Sequence, residues 1–182
     1  MIRILTLLAP GFEETEAVTV IDILRRAEIE VITASITHDN LVEGSHKIRL
    51  ATETVLEKIE PGNFDGIFLP GGQPGTNNLK EDPQVLKIIR DFHKKKNWIL
   101  AICAAPLVLK EAGILNGRRH TSYPADKKAF EPQNYKETNV VHDKNIITSR
   151  GVGTALDFAL TLVEVLKGKE PRDQLAQKVL WK

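Results

Sequence analysis

The sequence predicts an α/β fold: a three-layer sandwich in which a mainly parallel sheet carries helices on both faces. Three observations predict it. Apolar runs of strand length alternate with amphipathic stretches at helical spacing along the chain. The apolar runs are continuous rather than alternating, as strands buried on both sides require. Right-handed crossovers between parallel strands then put helices on both faces of the sheet.

"IRILTLLA" at 2–9 reads as a buried strand. After "PGFEE", residues 14–27 place Ala17, Val18, Ile21, Leu24 and Ala27 at helical spacing, with Arg25 and Arg26 on the other side. "EVITASI" at 30–36 is a second strand. Residues 37–62 are irregular, with a short edge strand near "KIRLA". "DGIFLPGG" at 65–72 is a third strand ending in Gly71 and Gly72. Asp82-Pro83 is an N-cap followed by proline at the first helical position. Val85, Leu86, Ile88, Ile89 and Phe92 mark one face of that helix. "WILAI" at 98–102 is a fourth strand, and "APLVLKEAG" at 105–113 a helix closed by Gly113. "RRHTSYPADKKAFEPQNYKE" reads as strand plus loop. "NVVHDKNIITS" reads as a hairpin turning at Asp143, Lys144 and Asn145. The stretch 154–167 is apolar around most of its circumference, which predicts a buried helix. Gly168 stops it, and Pro171 opens a last helix to about Leu180. No repeat is present, and the 182 residues make one domain. A flavodoxin-like order puts the first strand between the second and third. Such sheets bind ligands at the carboxyl ends of their strands, where the winding direction switches.

Composition narrows the function. Twenty-five Lys+Arg against 24 Asp+Glu give a formal charge of +1, which argues against a nucleic-acid or anionic-membrane partner, since these usually need a basic surface. The one basic cluster, "HKKKN" at 93–97, follows an amphipathic helix and suits the negative end of its dipole. The apolar start is too short and too soon acidic for a signal peptide. No apolar stretch is long enough to span a bilayer, so a cytoplasmic location is expected. A single cysteine means no internal disulfide. Five scattered histidines and one cysteine show no metal-ligand spacing, so no metal site is expected. "PGGQPG" and "GVGT" both lack the GxGxxG spacing of a dinucleotide fingerprint, and no cofactor is expected.

Three strand ends carry chemistry. Glu13, Glu14 and Glu16 follow the first strand, Gly71 and Gly72 the third, and Cys103 the fourth. In the expected order these strands are neighbours, so a carboxylate, a bare backbone turn and a thiol surround one crevice. Cys103 lies on a strand-to-helix turn, where the amides of Ala104 and Ala105 favour thiolate over thiol. The layout resembles a nucleophile elbow with cysteine in place of serine. Gly71 and Gly72 are suited to present N–H groups to an oxyanion. Glu16, partly buried beside a thiolate, is expected to keep its proton and to move protons on a substrate. Plainer readings compete. A lone cysteine after an apolar strand is commonly buried filler. Glu13 and Glu14 read best as favourable charge at a helix N-terminus. "GVGT" is a turn into a helix or a wall of the site.

"APGFEETEAVTVIDILRRAEIEV", "FDGIFLPGGQPGTNNL", "AICAAP", "TSRGVGTALDFALTLVEVLKGKE" and "VLWK" together resemble the DJ-1/ThiJ/PfpI superfamily. The similarity is greatest to its Parkinson-associated DJ-1 branch and that branch's bacterial relatives. It runs nearly end to end in the same order. The resemblance implies a flavodoxin-like sandwich and a homodimer. It implies a reactive Cys103, a protonated Glu16 and oxyanion amides at Gly72 and Ala104. The activity it implies is glutathione-independent glyoxalase or deglycase chemistry on methylglyoxal, glyoxal or glycated protein. The family also includes stress proteins in which the cysteine is oxidised to a sulfinate, which is the alternative reading; a non-catalytic interaction module is a third. Two departures matter. Relatives often carry a histidine in a "THP"-like segment, whereas this chain reads "TSYP", with Tyr123 at that position. A phenol is a poor base near neutral pH, which shifts proton transfer onto Glu16. The peptidase-like branch has histidine directly after the cysteine, where this chain has Ala104, so proteolysis is discounted. Tyr123 and Arg150 complete the candidate substrate-binding residues. His120 is near in sequence, but a surface or core position fits it equally well.

Overall fold

The computed structural model describes residues 1–181. In chain order the elements are β1 (Arg3–Leu8), α1 (Glu14–Arg26), β2 (Glu30–Ser35), β3 (Leu41–Glu43), β4 (Arg49–Ala51), β5 (Thr54–Val55) and β6 (Gly66–Leu69). There follow α2 (Gly75–Glu81), α3 (Pro83–Lys95), β7 (Trp98–Ile102), α4 (Pro106–Glu111), β8 (Val140–Asp143), β9 (Ile146–Ser149), α5 (Ala155–Lys167) and α6 (Lys169–Lys178). The central sheet runs β5-β2-β1-β6-β7-β9-β8. All its pairings are parallel except β8 with β9. The first strand does lie between the second and third long strands, so the ends of β1, β6 and β7 are adjacent.

Strand alternation divides the core in two. Leu5, Leu7, Ile67, Leu69, Ile99 and Ala101 face α3 and α4, packing with Val85, Ile89, Phe92, Val108 and Leu109. Ile4, Phe68, Leu100 and Ile102 face the other way, toward Val20 and Leu24 of α1 and Phe158 and Leu162 of α5. Both faces are therefore dry, which explains why the strands read as unbroken apolar runs.

Three local expectations are corrected, and one helix appears where none was expected. Residues 37–62 hold an antiparallel hairpin, β3 with β4, and the edge strand β5. The segment after Gly117 forms no strand; it makes one isolated bridge, His120 with Tyr135, before Pro124 starts a 3₁₀ turn over Pro124–Ala129. Residues 75–81 form α2, which carries a single large apolar residue, Leu79, and so has no readable stripe. The last helix begins at Lys169, directly after Gly168. Pro171 sits within its first turn, where a missing N–H costs nothing. Among the described residues, no helix is long and apolar enough to cross a membrane.

Candidate active site

Strand β7 ends at Ile102, and the next residue turns sharply. Cys103 has φ 62°, in the left-handed region that non-glycine residues rarely enter. Its N–H donates to Ser149 O at 3.0 Å, and its own carbonyl accepts from the Tyr123 N–H at 2.8 Å. Backbone on both sides therefore holds the strained residue in place. The Ala105 N–H donates back to Ile102 O at 3.0 Å, and Pro106 opens α4. This corrects one expectation: the Ala105 amide closes the turn and is not free for the sulfur. The amides of Ala104 and Gly72 are the two that favour the thiolate.

Glu16 sits in the first turn of α1 and is fully buried. Its position is fixed from behind by Glu13, the helix N-cap, whose carboxylate accepts the Glu16 N–H at 2.6 Å. Its Oε2 accepts from the Gly71 N–H at 2.9 Å, while Oε1 has no hydrogen-bond partner. Gly71 was expected to serve an oxyanion; its N–H instead holds Glu16. The residue must also be bare, because a Cβ there would lie 2.6 Å from Cys103 Cβ and 2.9 Å from Glu16 Oε2. A Cβ at Gly151 would meet Glu16 Oε1 at 3.9 Å and Cys103 Sγ at 4.0 Å. The orphan oxygen and the sulfur thus face the same glycine.

Around them lies a crevice of about 450 Å³, walled by Glu13, Glu16, His46, Cys103, Tyr123, Arg150 and the 151–154 turn. "GVGT" is both a turn and a wall. Tyr123 is half exposed at the rim, and the Arg150 Nε is buried without a partner. His120 is elsewhere: it is 2% exposed, packs on Phe130 with ring centroids 4.7 Å apart, and binds Arg118 O through Nδ1.

Electrostatics couple the acid to the thiol. Burial pushes the Glu16 carboxyl up to about 7, against the opposing pull of the Gly71 N–H and of Cys103. Burial also pushes the Cys103 thiol up, followed by the charge and hydrogen bonding of an ionised Glu16. The two groups therefore resist ionising together and titrate as a pair carrying one negative charge.

Two residues at or beside the crevice escaped the sequence. Glu14 is buried, not a loose helix-end charge, and accepts from the N–H of His46 at 2.7 Å. His46 reaches the crevice from the β3–β4 hairpin. The two lie 32 positions apart in a region with no periodic signal, so only the folded hairpin pairs them. Glu13, Glu14 and His46 bring ligand-type atoms within 4.8 Å of one another, a cluster that sequence spacing could not show. Hydrogen bonds within the protein account for the Glu14 oxygens.

A cysteine elbow at the carboxyl edge of a parallel sheet, with a buried acid at its side, defines a cysteine-elbow α/β protein. The DJ-1/PfpI family model matches residues 2–165, and the chain belongs to that family. Protein dj-1beta of Drosophila melanogaster is 40% identical over 179 residues, covering 97% of this chain and 95% of the relative. A Caenorhabditis elegans relative named glutathione-independent glyoxalase DJR-1.2 is 35% identical, covering 90% of this chain and 87% of its own. The solved structure of oxidized Toxoplasma gondii DJ-1 superposes with a TM-score of 0.96 at 32% identity, over 100% of this chain and 99% of that one.

A raised carboxyl makes a signed prediction. Glu16 is raised to about 7 from its ordinary 4.5, so the coupled pair sheds its one proton there and not near 4.5. The folded chain thus binds more protons than the unfolded one across that window, so stability falls as pH rises through it. In urea titrations, Glu16→Gln is expected to lose this fall and to exceed wild type in stability above pH 7. Parallel pH curves for the two proteins would place the carboxyl in water.

Proposed function

We propose that this protein is a cysteine-dependent glyoxalase that needs no cofactor. It converts small 2-oxoaldehydes such as methylglyoxal into 2-hydroxy acids. The same steps on aldehyde already joined to an amine make it a deglycase that limits glycation damage under stress. The observation that carries this reading is the buried Glu16 carboxyl in hydrogen-bond contact with the thiol of a strained elbow.

The proton rests on Glu16 and the charge on sulfur. Burial is the largest cause that raises the thiol and stays in force; protonating Glu16 removes the other two, its charge and its acceptance, and leaves the Ala104 and Gly72 amides to work against burial for the thiolate. The sulfur adds to the aldehyde carbon. The carbonyl electron pair moves to oxygen, which those amides hold and Glu16 protonates, giving a hemithioacetal. The Glu16 carboxylate then removes the hydrogen on that carbon and returns it to the neighbouring one. The hydroxyl proton on the first oxygen passes to the second, so the second oxygen becomes a hydroxyl and the first a thioester carbonyl. Water cleaves the thioester, releasing the 2-hydroxy acid and the sulfur. One water is consumed, and the oxidation of one carbon balances the reduction of its neighbour.

A homodimer in the cytoplasm belongs to the same reading; exposed Val18 and Leu180 support an apolar contact face. A second reading, a redox sensor, is favoured by one observation: the amides and orphan Glu16 oxygen around Cys103 suit an oxidised sulfur equally well. A relative solved in oxidized form supports it.

Lactate formation from methylglyoxal tests the first reading. Cys103→Ser is expected to abolish it, and Glu16→Gln to lower kcat by roughly 10²–10⁴-fold. An unchanged rate in either variant removes that residue from the mechanism. Intact mass after mild peroxide separates the second reading: a stable gain of two oxygens on Cys103, with negligible lactate, makes the protein a sensor.

A further inference from the structure

The thioester step lacks a base. Glu16 is given its role in the preceding step, at the substrate carbons, and Tyr123 is a phenol. We propose that His46, oriented by Glu14, is the general base that activates water to hydrolyse the acyl group on Cys103; the proposal rests on the acyl-forming reading above.

The β3–β4 hairpin builds the position. Its tip is tied to the β1–α1 loop by Ser45 N–H to Phe12 O at 2.8 Å and Gly11 N–H to Glu43 O at 2.8 Å. Glu14 passes beneath the hairpin where Gly44 leaves room; a Cβ there would lie 2.3 Å from its Oε1. Oε1 accepts from the N–H groups of His46 at 2.7 Å and Ile48 at 3.3 Å. Oε2 takes the Ser45 hydroxyl at 3.2 Å and His46 Nδ1 at 3.1 Å. Burial alone would raise this carboxyl. The donors gathered on it, including its own N–H, hold it below the usual range.

An ionised carboxylate only accepts, so His46 Nδ1 carries the proton. That leaves Nε2 with a free lone pair and no hydrogen bond among the described residues. The ring forms part of the wall that contains Cys103, so a molecule filling the crevice meets both. Other charged or titratable groups facing it are Glu13, whose Oε1 is 3.9 Å from Nδ1, and Glu16, Tyr123 and Arg150 across the crevice. A carboxylate–imidazole pair beside a nucleophile is the arrangement that general-base hydrolysis needs.

In the step, Nε2 takes a proton from water as its oxygen bonds to the acyl carbon. The C–S bond breaks, and sulfur leaves with the electron pair as thiolate. The proton on His46 and that of the product acid pass to Glu16 and solvent.

p-Nitrophenyl acetate tests this without methylglyoxal, because it acetylates Cys103 directly. Release of p-nitrophenol reports acylation, and intact mass reports loss of the acetyl group. His46 is 72% exposed along its side chain, so His46→Gln keeps the fold. The variant is expected to lose the acetyl group about 10²-fold more slowly than wild type, and added imidazole is expected to restore the rate. Equal deacylation, slow deacylation that imidazole does not restore, or a wild-type chain that never acylates overturns the proposal. Deacylation through His46 with no lactate from methylglyoxal would instead defeat the glyoxalase reading and leave the role of His46 standing.

Discussion

The Glu16 carboxyl, sealed between the Gly71 N–H and the Cys103 sulfur, is the constraint on which the site depends. It lies buried, with little solvation for a charge, so ionisation there is costly, and a second charge on the neighbouring sulfur would be costlier still. The pair is thereby limited to one negative charge. The backbone decides what that charge can do. Two amides attend the sulfur, whereas one attends the acid and leaves its second oxygen bare. An unsatisfied buried carboxylate oxygen is expensive, and a protonated one that donates to sulfur is not.

The fold supplies this arrangement by strand order. Placing β1 between β2 and β6, with β7 beyond, puts the acid of one crossover against the glycine of the next and the thiol of the third. Two dry cores clamp the sheet, and the Cys103 backbone is tied to β9 through Ser149 and to the following loop through Tyr123. A left-handed cysteine survives because its surroundings over-determine it. The strain aims the sulfur at the crevice instead of into the core behind β7.

What the sequence revealed follows the range of the interactions. Continuous apolar strands, helical stripes and the Asp82-Pro83 cap are local signals, and the sheet order follows from them. Cys103, Glu16 and Gly72 were legible because strand ends converge in any such sheet. The use of each amide was not: whether Ala105 or Gly71 faces the sulfur or serves another acceptor is a matter of ångströms across chain neighbours. His46 and Glu14 were hidden for a different reason. They meet only through a short hairpin whose strands, three residues each, leave no periodicity to read. The expected strand after Gly117 failed because Pro124 and a 3₁₀ turn limit its pairing to one bridge.

The central claim is that the shared charge sits on Cys103 at neutral pH. Thiolate absorbance of the wild-type protein, followed with its rate of alkylation by iodoacetamide across pH, tests it most directly. The account predicts that both rise together with a midpoint well below the ordinary thiol value of about 8.5. A midpoint at or above that value would put the charge on Glu16 and leave the sulfur an idle thiol.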